Sequence, residues 1–391
     1  MKTIEYITQD KITGEQNSIY LPTFKEHIED FIEKIGSTSE FYGIDALNTE
    51  EYPSCNALRV RNSDIYSINH LAEKIAELDL IERFAFEGVV QKFDYSGIDQ
   101  TDLINYAHNI KVGKGADAIP ATDHVELAEF YMDCNLIPEI AEIKGDAWQW
   151  IYDHLDFEQV GKEIEQKSGG IFTNDAFVTF SEPDKLFDGT FKPAKELGCV
   201  FNLEIGLKEE TEKSQRVTVT LPNRDSKLNG LLFDLGVLSF DELNCYKIES
   251  RIPILEPMDF EMWEIFRLDS LAREIENFTD CDKLTTYKAM IDSLKIIDLE
   301  RIAVASDFMD DFELKTEVRT PVDYAKTKLK VTLPDELIDS LDIAKYGRNI
   351  ALKDGASLTD YGALIPKDGL TLDQKIDEKL SQEQDVSMQM M

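Results

Sequence analysis

Hydrophobic and polar positions along this chain fall into short runs with two different periods. Phe24, Ile28, Phe31, Ile32 and Ile35 recur every three or four residues, the spacing of a helix with one buried face. Gly36 follows as a stop, since glycine readily takes the left-handed conformation that closes many helices. Just upstream, Asn17, Ser18, Ile19 and Tyr20 read as a short β-like run ending at Leu21-Pro22. The same succession returns about 200 positions later. Val217, Thr218, Val219 and Thr220 lead to Leu221-Pro222, and a helical stretch then closes at Leu235-Gly236.

The order persists through further marks, with the offset shortening toward the end of each unit. Ile68, Leu71, Ala72 and Ile75 align with Leu268, Leu271, Ala272 and Ile275, two helix starts with the same apolar spacing. Asp102-Leu103 aligns with Asp298-Leu299. Phe157, Gly161 and Ile164 align with Ile343, Gly347 and Ile350, and Gly169 to Asn174 with Gly355 to Asp360. Marks that recur in one order indicate an internal duplication. The pattern divides the chain into unit one (1–180), a linker or extra hairpin (181–199), a divergent unit two (200–366) and a polar tail (367–391). The tail reads as a weak helix with a frayed end. Short strands mixed with amphipathic helices, without regular βαβ alternation, predict an elongated α+β protein of small mixed subdomains.

Charge changes this picture from a fold to a function. Among 391 residues, 77 acids face 41 bases, a formal net charge of −36. Hydrophobic residues are 42% and aromatics 10%, so the acidity belongs to a folded chain rather than to a disordered acidic one. Such a charge repels itself and costs stability, which points to a use for the field. Duplex DNA carries one charge per roughly 1.7 Å, so 36 charges correspond to about 60 Å, or about 18 base pairs. The natural partner is a basic surface. Direct binding of nucleic acid is all but excluded by the sign of the charge and by the lack of basic patches with interleaved aromatics.

Catalytic and metal chemistry finds little support. The motifs GxxxxGK[ST], HExxH and GxSxG are missing. His27, His70, His108, His124 and His154 do not cluster at metal-ligand spacing, and the acidic run 307–313 lacks the glycine and length of a calcium loop. No catalytic residue, cofactor or metal is therefore expected. The five cysteines are scattered, with no CxxC pair, which suits a reducing cytoplasm. No apolar stretch reaches the length of a membrane span.

What remains is patterned acidity. Glu126, Glu129 and Asp133 share one helical stripe, and Glu139 and Glu142 continue it beyond Pro138. Asp146, Asp153, Asp156, Glu158, Glu163 and Glu165 follow, with Trp148, Trp150, Ile151, Leu155, Phe157 and Ile164 as the expected core. A counterpart in unit two is expected from Asp259, Glu261, Glu264, Asp269, Glu274 and Glu276. Any one cluster reads as a solvated face; the case for function is cumulative.

Two stretches, 126–140 and 150–180, resemble the C-terminal portion of the ArdA antirestriction proteins. The segment Leu155, Asp156, Phe157, Glu158, Gln159, Val160, Gly161, Lys162, Glu163 is similar to that family's aromatic-Asp-aromatic-Glu segment with its following glycine. Residues 68–78 resemble the family's leucine-rich helix. The resemblance implies an acidic decoy with the shape and charge of bent B-form DNA, which occupies the DNA groove of type I restriction-modification enzymes. It also implies a cytoplasmic protein of a bacterial host, carried by a phage or a conjugative element. This chain departs in being about twice as long, which suggests a pseudo-dimer in one chain or a further homodimer. It begins at the Leu-Pro strand, with no evident strand-rich opening. Lys326, Lys328, Lys330 and Lys345 also dilute the acidity of unit two. The alternative reading is an inhibitor of another defence complex, such as a CRISPR effector, that binds through specific protein contacts.

Overall fold

Strand β1 (Ile4–Asp10) precedes the Leu-Pro run and organises the start of the chain. Its side chains alternate, with Ile4, Tyr6 and Thr8 buried, as a half-buried strand requires. It lies between β2 (Gln16–Leu21) and β3 (Ser39–Ala46) in an antiparallel sheet of order β2-β1-β3. The chain therefore opens with a strand-rich segment, contrary to expectation. The signal was Ile4, Tyr6 and Thr8, a run too short to stand out from its polar neighbours.

The computed structural model describes residues 4–11, 14–36, 39–46, 64–93, 100–137, 146–187, 194–209, 215–278, 281–329 and 342–389. These fall into two compact units. The first comprises 1–28 and 35–195, the second 29–34 and 196–391. The architecture is α+β, with four small three-stranded antiparallel sheets among the described residues.

Helix α1 (Lys25–Ile35), whose residues 29–34 belong to the second unit, follows the cis Leu21-Pro22 bond of the first. Helix α2 (Ile65–Ala76) starts three residues before the expected point, because Asp64 caps it by accepting from the backbone N–H groups of Tyr66 and Ser67. Its Asn69 side chain accepts the Thr23 N–H at 2.8 Å, tying the helix to the turn after the proline. Helices α3 (Leu80–Phe93) and α4 (Gln100–Lys111) follow, then β4 (Ala116–Ile119), α5 (His124–Asp133), α6 (Asp146–His154), α7 (Phe157–Ser168), β5 (Ile171–Phe172) and β6 (Phe177–Phe180). The second sheet has order β4-β6-β5. Residues 181–187 form no strand. They lie along α4, where Asn105 and Asn109 satisfy the backbone N–H groups of Phe187 and Asp184 at 2.7 and 3.0 Å.

The second unit repeats this plan. Strands β7 (Phe201–Leu207), β8 (Val217–Leu221) and β9 (Leu243–Ser250) pair in the order β8-β7-β9, and Leu221-Pro222 is again cis. Each opening sheet has one register shift in the pairing of its central strand, at Ile7/Thr8 and at Glu204/Ile205. Helices α8 (Asp225–Asp234), α9 (Ile265–Glu276), α10 (Cys281–Asp292) and α11 (Leu299–Ala305) lead to β10 (Phe312–Lys315). Then come α12 (Pro321–Lys328), α13 (Ile343–Lys353), β11 (Ser357–Thr359) and β12 (Gly362–Pro366), giving a sheet of order β10-β12-β11. The hairpins match in detail: Thr173 Oγ1 donates to the Ala176 carbonyl, and Thr359 Oγ1 to the Gly362 carbonyl.

Two features of this unit go beyond what the sequence pattern predicts. Residues 29–34 bring a buried charge network. Lys288 Nζ lies 2.8 Å from Asp30 Oδ1 and 2.8 Å from Glu33 Oε2, and the Tyr361 hydroxyl donates to Asp30 at 2.9 Å. Burial disfavours the Lys288 charge, but Asp30 and Glu33 outweigh it and raise its pKa. The tail forms the expected helix, but one docked on the unit rather than weak. Helix α14 (Leu372–Gln389) buries Leu372 and Ile376, while Arg301 holds Asp373 and Lys375 holds Asp311.

The pairs α5/α7 and α12/α13 share one contact. A Cβ on Gly161 would overlap the His124 carbonyl, and one on Gly347 would overlap the Pro321 carbonyl. Glycine is needed at both sites because a helix presses directly on the start of its neighbour. Gly161→Ala and Gly347→Ala are each expected to lower stability by about 2 kcal/mol or more, as overpacking does. Gly230→Ala, in helix α8 with open space around it, should stabilise or be neutral. Urea unfolding of the three variants tests this.

Candidate functional site

Helix α5 begins at Asp123, whose carboxylate accepts from the N–H groups of Val125 and Glu126, both at 2.9 Å. Leu127, Ala128 and Met132 turn inward and are buried. Leu127 joins a small core with Ile119, Ala121 and Phe177, against which Phe130, Tyr131, Ile164 and Phe172 pack. Helix α7 begins at Asp156, which caps the Gln159 N–H at 3.1 Å, and closes at Gly169 with φ 64°. Burying one face of each helix leaves the other for charge.

That other face is acidic. Glu126, Glu129, Asp133, Asp153, Asp156, Glu158 and Glu163 are all exposed. Residues 123–168 contain twelve acids against three bases, Lys144, Lys162 and Lys167. Some of the acids also serve the fold. Glu126 accepts from the Thr122 N–H and hydroxyl at 2.8 Å, Glu158 pairs with Lys162 at 2.6 Å, and the half-buried Glu165 meets His124 Nε2 at 2.8 Å. Acids at a helix start interact favourably with its dipole. Asp133 lies at the opposite end of α5, where no basic residue sits in the last turn and the dipole opposes it. Helix stability does not account for Asp133. The Tyr152 hydroxyl reports this local field: partial burial raises its pKa, and the charges of Glu129 and Asp133 raise it further.

Several expected positions stand apart from this face. Glu139 and Glu142 lie outside the described residues, as does the side chain of Asp146, the first residue of α6. Trp150, expected in the core, is 65% exposed and stacks on His154 at 4.8 Å between ring centres. It lies one helical turn from His154, on the outward side of α6.

The unit-two set divides. Asp259, Glu261, Glu274 and Glu276 are exposed. Glu264 is half-buried and accepts the Glu261 N–H, and Arg267 sits 3.7 Å from it and 3.6 Å from Glu300. Lys208 lies 3.7 Å from Glu261. Asp269 is a correction: it is 3% exposed and cannot belong to a surface. Its carboxylate accepts the Asn223 N–H at 2.6 Å and the Arg273 guanidinium at 2.6 Å. Asp269 thus does for the second Leu-Pro turn what Asn69 does for the first. Its place at apolar helical spacing, between Leu268 and Leu271, was the available signal.

By fold, the counterpart of α5/α7 is α12/α13 rather than residues 259–276. There the charge is balanced, with five acids and six bases over residues 320–353. An open cleft of about 610 Å³ in this unit is lined by Arg224, Arg273, Asp225 and Asp269 among others, and these four also balance. Among the described residues no group of three His, Cys, Asp or Glu side chains could hold a metal ion, and no helix is long and apolar enough to cross a membrane.

No family model matches the chain, and no curated protein is significantly similar to it in sequence. The functional reading therefore rests on the geometry and charge described above.

Asp269→Ala should destabilise the protein by about 1–3 kcal/mol, by leaving a part-buried N–H and a guanidinium without their acceptor. Glu274→Ala, on the exposed side of the same helix, should change stability by no more than about 0.5 kcal/mol. Equal thermal shifts in the two variants would contradict the placement of Asp269.

Proposed function

We propose that this protein is an antirestriction decoy of the ArdA kind, which presents carboxylates in place of DNA phosphates to the basic groove of a type I restriction-modification enzyme. The observation that carries the reading is the outward face of α5 and α7. Asp123, Glu126, Glu129 and Asp133 fall within one run along α5, and Asp156, Glu158, Glu163 and Glu165 within one along α7. At 1.5 Å per residue these are runs of roughly 15 and 13 Å. Summed over one helix length, and less Lys162 and Lys167, they supply one net charge per roughly 2.5 Å, on the scale of the roughly 1.7 Å per charge of duplex DNA. Carboxylates carried on a packed helix pair have their backbone positions set before binding, so less conformational freedom is lost on docking.

A second reading has its own support. Phe233 and Leu238 are among the most exposed apolar side chains, and the α12/α13 pair carries no net acidity. An inhibitor of another defence complex would use such apolar contacts for affinity, with acidity serving solubility and steering.

Binding to a purified type I methyltransferase core, with and without competing duplex DNA and across a salt series, separates the two. The decoy reading expects displacement by DNA and a steep fall in affinity with salt. It also expects the triple reversal Glu129→Lys, Asp133→Lys, Glu163→Lys to weaken binding at least about tenfold without loss of fold. Binding indifferent to DNA and salt favours the second reading.

A further inference from the structure

Two of the three tryptophans are exposed, and each lies within one of the acidic stretches. Trp150 is 65% exposed on α6, the helix that joins the acids of α5 to those of α7 in sequence. The exposed Asp153 follows three residues later, on the same side of that helix. His154 stacks on the Trp150 ring from one side, and the large exposure of the indole leaves the other side to solvent. Trp263 is 60% exposed, in the short turn before α9, and is flanked in sequence by the exposed Asp259 and by Glu261 and Glu264, which lie 3.7 Å from Lys208 and Arg267 respectively. Tryptophan carries a large apolar surface and is highly buried on average, so two exposed copies, both set among acids, call for an account.

A purely electrostatic decoy has no use for either ring. Carboxylates attract lysine and arginine alike, as point charges. An indole face distinguishes them, because a guanidinium is planar and weakly hydrated, stacks on aromatic faces and pairs with a carboxylate at its edge. An exposed indole beside carboxylates therefore matches both properties of arginine at once. We infer that Trp150 and Trp263 are arginine-selective anchors, and that the partner surface of this protein is a basic protein surface rich in arginine rather than lysine. The inference rests on the acidic stretches being the partner-binding surface.

The test uses the full chain and two fluorescein-labelled peptides of equal charge, deca-arginine and deca-lysine, followed by anisotropy at fixed salt. Deca-arginine is expected to bind at least about fivefold more tightly. Trp150→Leu and Trp263→Leu should each reduce that preference by about two- to fivefold, and the double variant should bring the two peptides within about twofold of each other. Circular dichroism checks that the variants, altered only at exposed positions, remain folded. Equal affinity for the two peptides, no binding of either, or a preference that survives the double substitution would each overturn the inference. The triple charge reversal should weaken both peptides alike. An arginine preference that depends on the tryptophans, together with no binding to the methyltransferase core, would reject that target and leave the anchors standing.

Discussion

The acidic face depends on one close approach, the seating of Gly161 on the His124 carbonyl. Neighbouring carboxylates on a helix repel, and each like-charged pair one turn apart costs a few tenths of a kcal/mol. Helix α5 carries Glu126, Glu129 and Asp133 in that relation, with no base in its last turn. So short a helix is marginal alone, and tertiary packing must hold it. That packing is Leu127, Ala128 and Met132 on the inner side, with α7 brought close enough by Gly161 for Ile164 to pack on the same small core.

The same contact shows what the sequence could reveal and what it could not. Gly161 and Gly347 were visible as aligned marks, as were the two Leu-Pro pairs, because duplicated residues that recur in one order need no structure to be recognised. The helix faces around Ile68 and Leu268 were legible from their period. Trp150 was misread because α6 is short, with aromatics on more than one side, so spacing alone could not choose its inner face. Asp269 was misread because composition assigns an aspartate to the surface. Its burial follows from the backbone N–H of Asn223, 46 positions away, a partner that no local pattern displays. The β1 strand and the docking of α14 were likewise settled by distant partners.

Charge has diverged between the two units more than the frame has. Residues 1–195 hold 37 acids and 17 bases, residues 196–391 hold 40 and 24, so both halves are strongly acidic. The difference lies in what the acids do. In the second unit many are engaged with bases: Asp373 and Asp377 with Arg301, Asp311 and Asp368 with Lys375, Asp307 with Lys379, Asp354 with Lys328. The partners act on one another, and Lys328 holds the Asp354 carboxyl below its usual range. These acids fasten α14 and α12 to their neighbours.

Acids engaged in this way contribute less to a field felt by a partner, since each is offset by a base a few ångströms away. In the first unit the α5/α7 pair sets only Lys162 and Lys167 against its exposed acids, and its field is correspondingly less compensated. A duplicated frame whose copies differ in this respect supports a division of labour. One copy keeps an acidic face at a cost in its own stability, while the other commits its acids to internal pairing and presents apolar side chains such as Phe233 and Leu238. On this argument the proposed basic partner would meet the first unit through charge, and the contribution of the second would be set by its exposed aromatic and apolar groups rather than by its net acidity.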